Sequence, residues 1–251
     1  MRDAHIHFEK QPYSLEIVEK MVGVAKARGV TELCLLDHTH KFQEFSFLYE
    51  ETKEDEATYN HYQKKKYISI KEYLDFTDIV RKKDFGIKIL FGLEVCYFVN
   101  CKERLKEELT KYDFDFIIGS VHHIDAFAFD FNKESWEGRD IDKIYIRYFE
   151  IVEDLIKSKL FTHLAHPDSI KIFGFYPTFD LVPYYRKIAK LLKEYNMSTE
   201  NNTGFDRYGF TNYGLDSKLY DELKRENVLI YKASDAHDYT YIGNKFDLIK
   251  D

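Results

Sequence analysis

The chain has 251 residues, of which 44% are hydrophobic and 17% aromatic, enough to bury a core and too much for disorder except locally. Its formal net charge of -7 leaves no basic footprint for a nucleic-acid backbone, and no apolar run approaches the roughly 20 residues needed to span a bilayer. The three cysteines, Cys34, Cys96 and Cys101, form neither a CxxC pair nor a disulfide framework, and no signal segment opens the chain; a reducing, cytoplasmic location is expected.

In chain order, seven short apolar or alternating runs predict strands at about residues 2–7, 31–37, 87–95, 114–121, 161–165, 197–201 and 228–234. Helical periodicity lies between them. The segment 15–29 places Val18, Met21, Val22 and Ala25 on one face and stops at Gly29, a natural C-terminal cap. Segments 140–158, 180–195 and 215–226 read the same way. Strands separated by such helices pair in parallel through right-handed crossovers, so the expected fold is α/β, a closed or nearly closed (β/α)7 barrel of the TIM-like kind. An open doubly wound sheet is the alternative. No linker rich in Pro, Gly or Ser divides the chain, and one domain over 1–251 is expected. Residues 41–66 break the rhythm with an acidic block, a lysine block and several aromatics; this rim insertion reads either as a lid or specificity loop or as a solvated excursion.

Histidines and acids cluster where these strands end: Asp3, His5 and His7; Asp37, His38 and His40; Glu94; His122 and His123; His163 and His166; Asp235 and His237. Residues two apart in a strand share a face, so His5 and His7 project together with Asp3, and Asp235 and His237 repeat the spacing. Glu94 closes a run so apolar that an ionised carboxylate there needs strong compensation, which two bridged cations would supply. His166 precedes Pro167, which fixes the chain as it leaves its strand. Single HxH or DxH pairs are weak signals. Six bursts at successive strand ends predict a multinuclear metal site at the C-terminal rim of the strands, and nitrogen and carboxylate donors without thiolates suit zinc, manganese or iron. His61 lacks such company and reads as a surface histidine.

The motifs DAHIHFE (3–9), LLDHTHKF (35–42), GLEV (92–95), IGSVHHID (118–125), AHPDSIKIFG (165–174), TENNTGFDRYG (199–209) and SDAH (234–237) occur in one order across nearly the whole chain. In these the chain resembles the polymerase and histidinol phosphatase (PHP) superfamily, and within it the monofunctional histidinol-phosphate phosphatases. The resemblance implies a distorted (β/α)7 barrel with a trinuclear divalent metal centre. By position, His5, His7, Glu94 and Asp235 would hold one metal. Glu94, His122 and His166 would hold a second, and His38 and His237 a third. Family members often add a histidine to the third site from the loop after the first strand; this chain has none there, and Glu9, with Gln11 behind it, is the substitute.

The implied activity is hydrolysis of a phosphate monoester, L-histidinol phosphate, in histidine biosynthesis, with a small-molecule substrate and neither nucleic acid nor membrane as partner. Asp235 and His237 are the candidates for protonating the leaving group. Arg207, His40 and Lys171 are the candidate substrate contacts, and Glu200 or Asp206 could receive the substrate's amino group. His163, three residues before His166, should face a different way, and His123 should turn from the cluster. Another phosphoesterase of the superfamily acting on a nucleotide or other small ester, and a non-catalytic metal-binding regulatory module, are the alternatives.

Overall fold

The runs read as strands assemble in chain order into one seven-stranded parallel sheet in the computed structural model, which describes residues 1–205 and 213–250. Its members are β1 (Arg2–His7), β2 (Glu32–Leu36), β3 (Lys88–Cys96), β4 (Phe116–Ser120), β7 (His163–Leu164), β8 (Ser198–Asn202) and β9 (Ile230–Ala233). A short antiparallel pair, β5 (His123–Ile124) with β6 (Phe127–Ala128), follows β4 and was not anticipated.

The two edges of the sheet meet. Ile6 bridges Ala236 in parallel, and His7 N–H donates to the Ala236 carbonyl at 2.8 Å. Asp3 reinforces this seam. Its carboxylate accepts from the backbone N–H of Ser234 at 2.9 Å and of Gly243 at 2.8 Å, and burial pushes its pKa up to about 6. A register shift between Asp3 and Ile6 breaks the expected alternation, so Asp3 lies on the face of Ile6 rather than with His5 and His7, and it ties β1 to the segment around β9. The result is a distorted, nearly closed (β/α)7 barrel.

Seven helices are described: α1 (Leu15–Ala27), α2 (Glu56–Gln63), α3 (Ile70–Arg81), α4 (Lys102–Leu109), α5 (Ile141–Ser158), α6 (Val182–Glu194) and α7 (Ser217–Arg225). Helix α1 starts at Ser14, whose hydroxyl accepts from Ile17 N–H, and buries Val18, Met21, Val22 and Ala25, the predicted face. It ends before Gly29, whose φ of +72° a residue with Cβ would resist. Asp140 caps α5 by accepting from Lys143 N–H, and Pro183 sits in the first turn of α6, where its missing N–H costs nothing. None of the described helices is long and apolar enough to cross a membrane.

The insertion is not a solvated excursion. A 3-10 helix over Gln43–Thr52 buries Phe45, Phe47, Leu48 and Tyr49, and α2 buries Thr58 and Tyr62. Tyr49 stacks on Tyr62 at 4.2 Å between ring centroids, while the charged Glu50, Lys53 and Glu54 face water. Its aromatics roof the rim, and its charges coat the outside.

Candidate metal centre

Strand pairing brings the bursts together. Beyond the end of β2 the parallel pairing continues as a bridge between His38 and Glu94, with Glu94 N–H donating to the Asp37 carbonyl at 3.0 Å. Glu94 then sits fully buried with its two oxygens facing different imidazoles. Oε2 lies 3.1 Å from His5 Nε2, 3.3 Å from His7 Nε2 and 2.9 Å from His38 Nδ1. Oε1 lies 3.1 Å from His122 Nε2 and 3.2 Å from His166 Nε2. Asp235 Oδ1 closes the arc, 3.3 Å from His7 Nε2 and 3.5 Å from His237 Nδ1.

Among the described residues, three overlapping groups offer donor atoms all within 4.8 Å of one another: His5, His7 and Asp235; His38, Glu94 and His122; His7, His38 and His237. His38 thus belongs to two groups. The family pattern pairs it with His237 alone, whereas here its Nδ1 also faces Glu94.

Glu9, the residue expected to substitute for the absent histidine, faces His237 and His40. Its Oε2 lies 3.0 Å from His237 Nε2, and its Oε1 accepts from His40 Nε2 at 2.8 Å. Burial raises the carboxyl's pKa, but hydrogen bonds from His237 and His40 outweigh it and hold Glu9 ionised, far below the usual carboxylate range. Burial beside His38 keeps His40 neutral, with its pKa lowered to about 3.

Two carboxylates orient the clustered imidazoles from behind, and neither role was foreseen. Glu200, fully buried on β8, accepts from His5 Nδ1 at 3.1 Å, from His163 Nε2 at 3.0 Å and from the backbone N–H of His166 at 3.1 Å. It is therefore not the exposed acceptor for a substrate amine; it braces the cluster. Asp130, in the loop after β6, accepts from His122 Nδ1 at 2.7 Å. Each contact leaves Nε2 of its histidine aimed into the cluster, at His7 and Glu94 for His5 and at Glu94 for His122.

That arrangement demands positive charge. If His5 and His122 each give their one N–H to the carboxylate behind, their Nε2 lone pairs confront Glu94, acceptor against acceptor. Either protons or metal ions must intervene. Burial disfavours the charged imidazoles, but the facing carboxylates win: His122 is raised to about 10 and His5 well above its ordinary value. Burial likewise disfavours ionised Glu94, yet His38 and His5 hold its pKa well below the ordinary value. Between His5 and His7 the two Nε2 atoms lie 2.9 Å apart, a convergence of imidazole nitrogens suited to one shared cation. His7 Nδ1 and His166 Nδ1 are buried without a partner. His166 and Asp235 both carry positive φ, +24° and +48°, a strained backbone of the kind that collects at functional sites. The nitrogen and oxygen donor set fits divalent ions of the zinc, manganese or iron type.

The remaining expectations divide. His163 faces Glu200 and Ser198 Oγ, the latter at 2.8 Å, and His123 turns away to Cys96 Sγ at 3.2 Å. His61 is exposed against the ring of Phe131. Lys171 is a correction: its buried ammonium donates to Asp168 at 2.6 Å and to the Gly214 carbonyl at 2.8 Å, so it pins two loops and is not available to substrate. Arg207 and Asp206 lie outside the described residues. Above the cluster a cavity of about 630 Å3 opens, floored by Glu9, His38, His40, His122 and His237. Its outer wall comes from the insertion and from the loop after β6.

Comparison with known proteins places these features in a wider group. The PHP domain family model matches residues 3–204. A protein of Schizosaccharomyces pombe named probable histidinol-phosphatase is 26% identical over 185 residues, covering 67% of this chain and 60% of that protein. The match thus spans less than two thirds of that relative. One of the same name from Deinococcus radiodurans is 24% identical over 255 residues, covering 99% of this chain and 91% of its own length. Among solved structures, the histidinol phosphate phosphatase of Lactococcus lactis, complexed with zinc, L-histidinol and phosphate, superposes with a TM-score of 0.70 at 21% identity. That match covers 99% of this chain and 92% of the other, and it speaks for the fold.

Proposed function

The chain belongs to the PHP domain family, and from that premise we propose that it is a metal-dependent phosphate monoester hydrolase whose substrate is L-histidinol phosphate. The observation that carries this reading is Glu94, one buried carboxylate with each oxygen turned to a different set of imidazoles. The names of the relatives support the substrate.

We assign His5, His7, Glu94 and Asp235 to a first cation, Glu94, His122 and His166 to a second, and His38 and His237 with Glu9 to a third. Divalent cations held there would supply Lewis-acid charge for the ester phosphate and would lower the pKa of a water toward neutrality. The chain's own residues do the rest. Glu200 and Asp130 fix which nitrogen of His5 and of His122 faces inward. His237 is aimed by its Nδ1, 3.0 Å from the Asp235 carbonyl, so that its other nitrogen meets Glu9 at the cavity floor. We assign to Asp235 or His237 the delivery, to the leaving alkoxide, of the proton released by the attacking water. His40, neutral on the same floor, is a contact for the substrate.

Phosphate release from L-histidinol phosphate tests the reading, measured with the native protein, with chelated protein and after metal is restored. Activity that disappears on chelation and returns with zinc or manganese is expected. Full activity in metal-stripped protein, or a preference for nucleotides across a panel of small phosphate esters, would displace it.

A further inference from the structure

The cavity over the metal centre has one unusual wall. His61, Tyr62 and Lys65, all from the insertion, face Asp130, Phe131 and Asn132. Lys65 is half-buried, and among the described residues its ammonium makes no hydrogen bond or ion pair; it lies over the Tyr62 ring, 5.6 Å from ring centre to nitrogen. Lys41 donates to Asp37 at 2.7 Å and Lys171 is held by Asp168, whereas Lys10, which also lines this cavity, is exposed to water and so keeps its hydration.

The carboxylates that face Lys65 are already engaged. Glu9 accepts from His40 and meets His237, and Asp130 accepts from His122. Both act on Lys65 only through space, while burial lowers its pKa from the ordinary lysine value. A half-hydrated ammonium is costly unless something anionic reaches it, and it lines a cavity whose floor is the cation site. The insertion thus delivers a positive charge opposite the metal ligands.

We propose that Lys65 is a substrate-binding residue that holds an anionic oxygen of the phosphate group at the mouth of the metal centre. The inference rests on the reading of the substrate as a phosphate ester. It gives residues 41–66 a function that aromatic roofing alone does not require. Lys64 and Lys66, its exposed neighbours in the same run, are solvated charges and do not line the cavity.

The test is calorimetric titration of inorganic phosphate into the metal-loaded protein, followed by steady-state kinetics with L-histidinol phosphate. Lys65→Met should weaken phosphate binding about tenfold or more, the size of a lost charge-assisted hydrogen bond. KM for the ester should rise more than kcat falls. Lys65→Arg should restore most of the affinity, and Lys66→Met should behave as wild type. Unchanged phosphate affinity in a Lys65→Met protein with wild-type metal content and melting temperature overturns the proposal, as does an Arg variant no better than Met. If Met disturbs folding, Lys65→Gln is judged by the same phosphate titration. A wild-type protein that binds phosphate through Lys65 but does not hydrolyse L-histidinol phosphate would refute the substrate and leave the Lys65 assignment standing.

Discussion

Glu200 accepts the Nδ1–H of His5 at 3.1 Å across the inside of the barrel, joining residues 195 positions apart and fixing which nitrogen of His5 faces Glu94. The same carboxylate receives the backbone N–H of His166, whose φ is +24°, so one side chain orients an imidazole and stabilises a strained backbone. Glu200→Gln should therefore lower metal affinity by roughly 10–100-fold while the protein stays folded. Competition with a metal-binding dye measures this. Wild-type affinity in the variant would leave Glu200 a packing residue only.

Glu9 meets His237 and His40 on the floor of the cavity. If it stands in for the absent histidine, Glu9→Ala should reduce the bound metal from three ions to two per chain, and Glu9→His should restore the third. Elemental analysis of protein purified in excess zinc reads this directly. Three ions retained in the alanine variant would remove Glu9 from the ligand set.

Glycine is required at position 204 by close approach. A Cβ built there would come within 2.6 Å of Asp235 Cβ and 2.9 Å of its Oδ2. Gly204→Ala must push Asp235 aside or distort its loop, with a stability loss of about 1–3 kcal/mol. Because Asp235 faces His7 and His237, kcat should fall at least tenfold even at temperatures where the variant is fully folded. A variant less stable but fully active would show that Asp235 tolerates displacement.

Away from the cluster, Glu44 joins the insertion to helix α3: its carboxylate accepts from Ser69 Oγ at 2.7 Å and from Ile70 N–H at 3.0 Å. Burial raises its pKa, but these hydrogen bonds outweigh it and leave the pKa below the ordinary value of 4.5. A depressed folded-state pKa stabilises the protein above the unfolded value, and that stability is lost as pH falls through the folded one. Glu44→Gln should thus cost about 0.5–1 kcal/mol at pH 7, discounted for solvent screening, and progressively less below about pH 4.5. Urea unfolding of both proteins at pH 7 and in acid checks the sign. An equal difference at both pH values would mean that ionisation of Glu44 does not matter.

The barrel was legible because its strands are short apolar runs set between amphipathic helices. Helix α3 carried the signal too, in Ile70, Tyr73, Phe76, Thr77 and Val80, but it directly follows the insertion, where the rhythm is broken. Helix α4 buries only Leu105 and Leu109 among charged residues, and β5 and β6 have two residues each, too little for periodicity to register. At the site, histidines at strand ends announced themselves. Their supporting carboxylates did not, because a hydrogen bond from His5 to Glu200 leaves no spacing to read. Two local signals were available: Glu200 is the acid within a run read as a strand, and Asp130 is a lone acid in the apolar run 127–131. Lys171 misled in the opposite way. A lysine after His-Pro-Asp looks exposed, yet Asp168 three residues earlier neutralises it within the fold.

The central claim is that Glu94 lies between two cations. Anomalous-difference maps from zinc-soaked crystals test it directly. The account predicts one peak among Glu94, His5, His7 and Asp235 and another among Glu94, His122 and His166, about 3.5–4 Å apart as in other two-metal sites. Peaks that leave the Glu94 carboxylate uncoordinated, or a single peak on one side of it, would contradict the account.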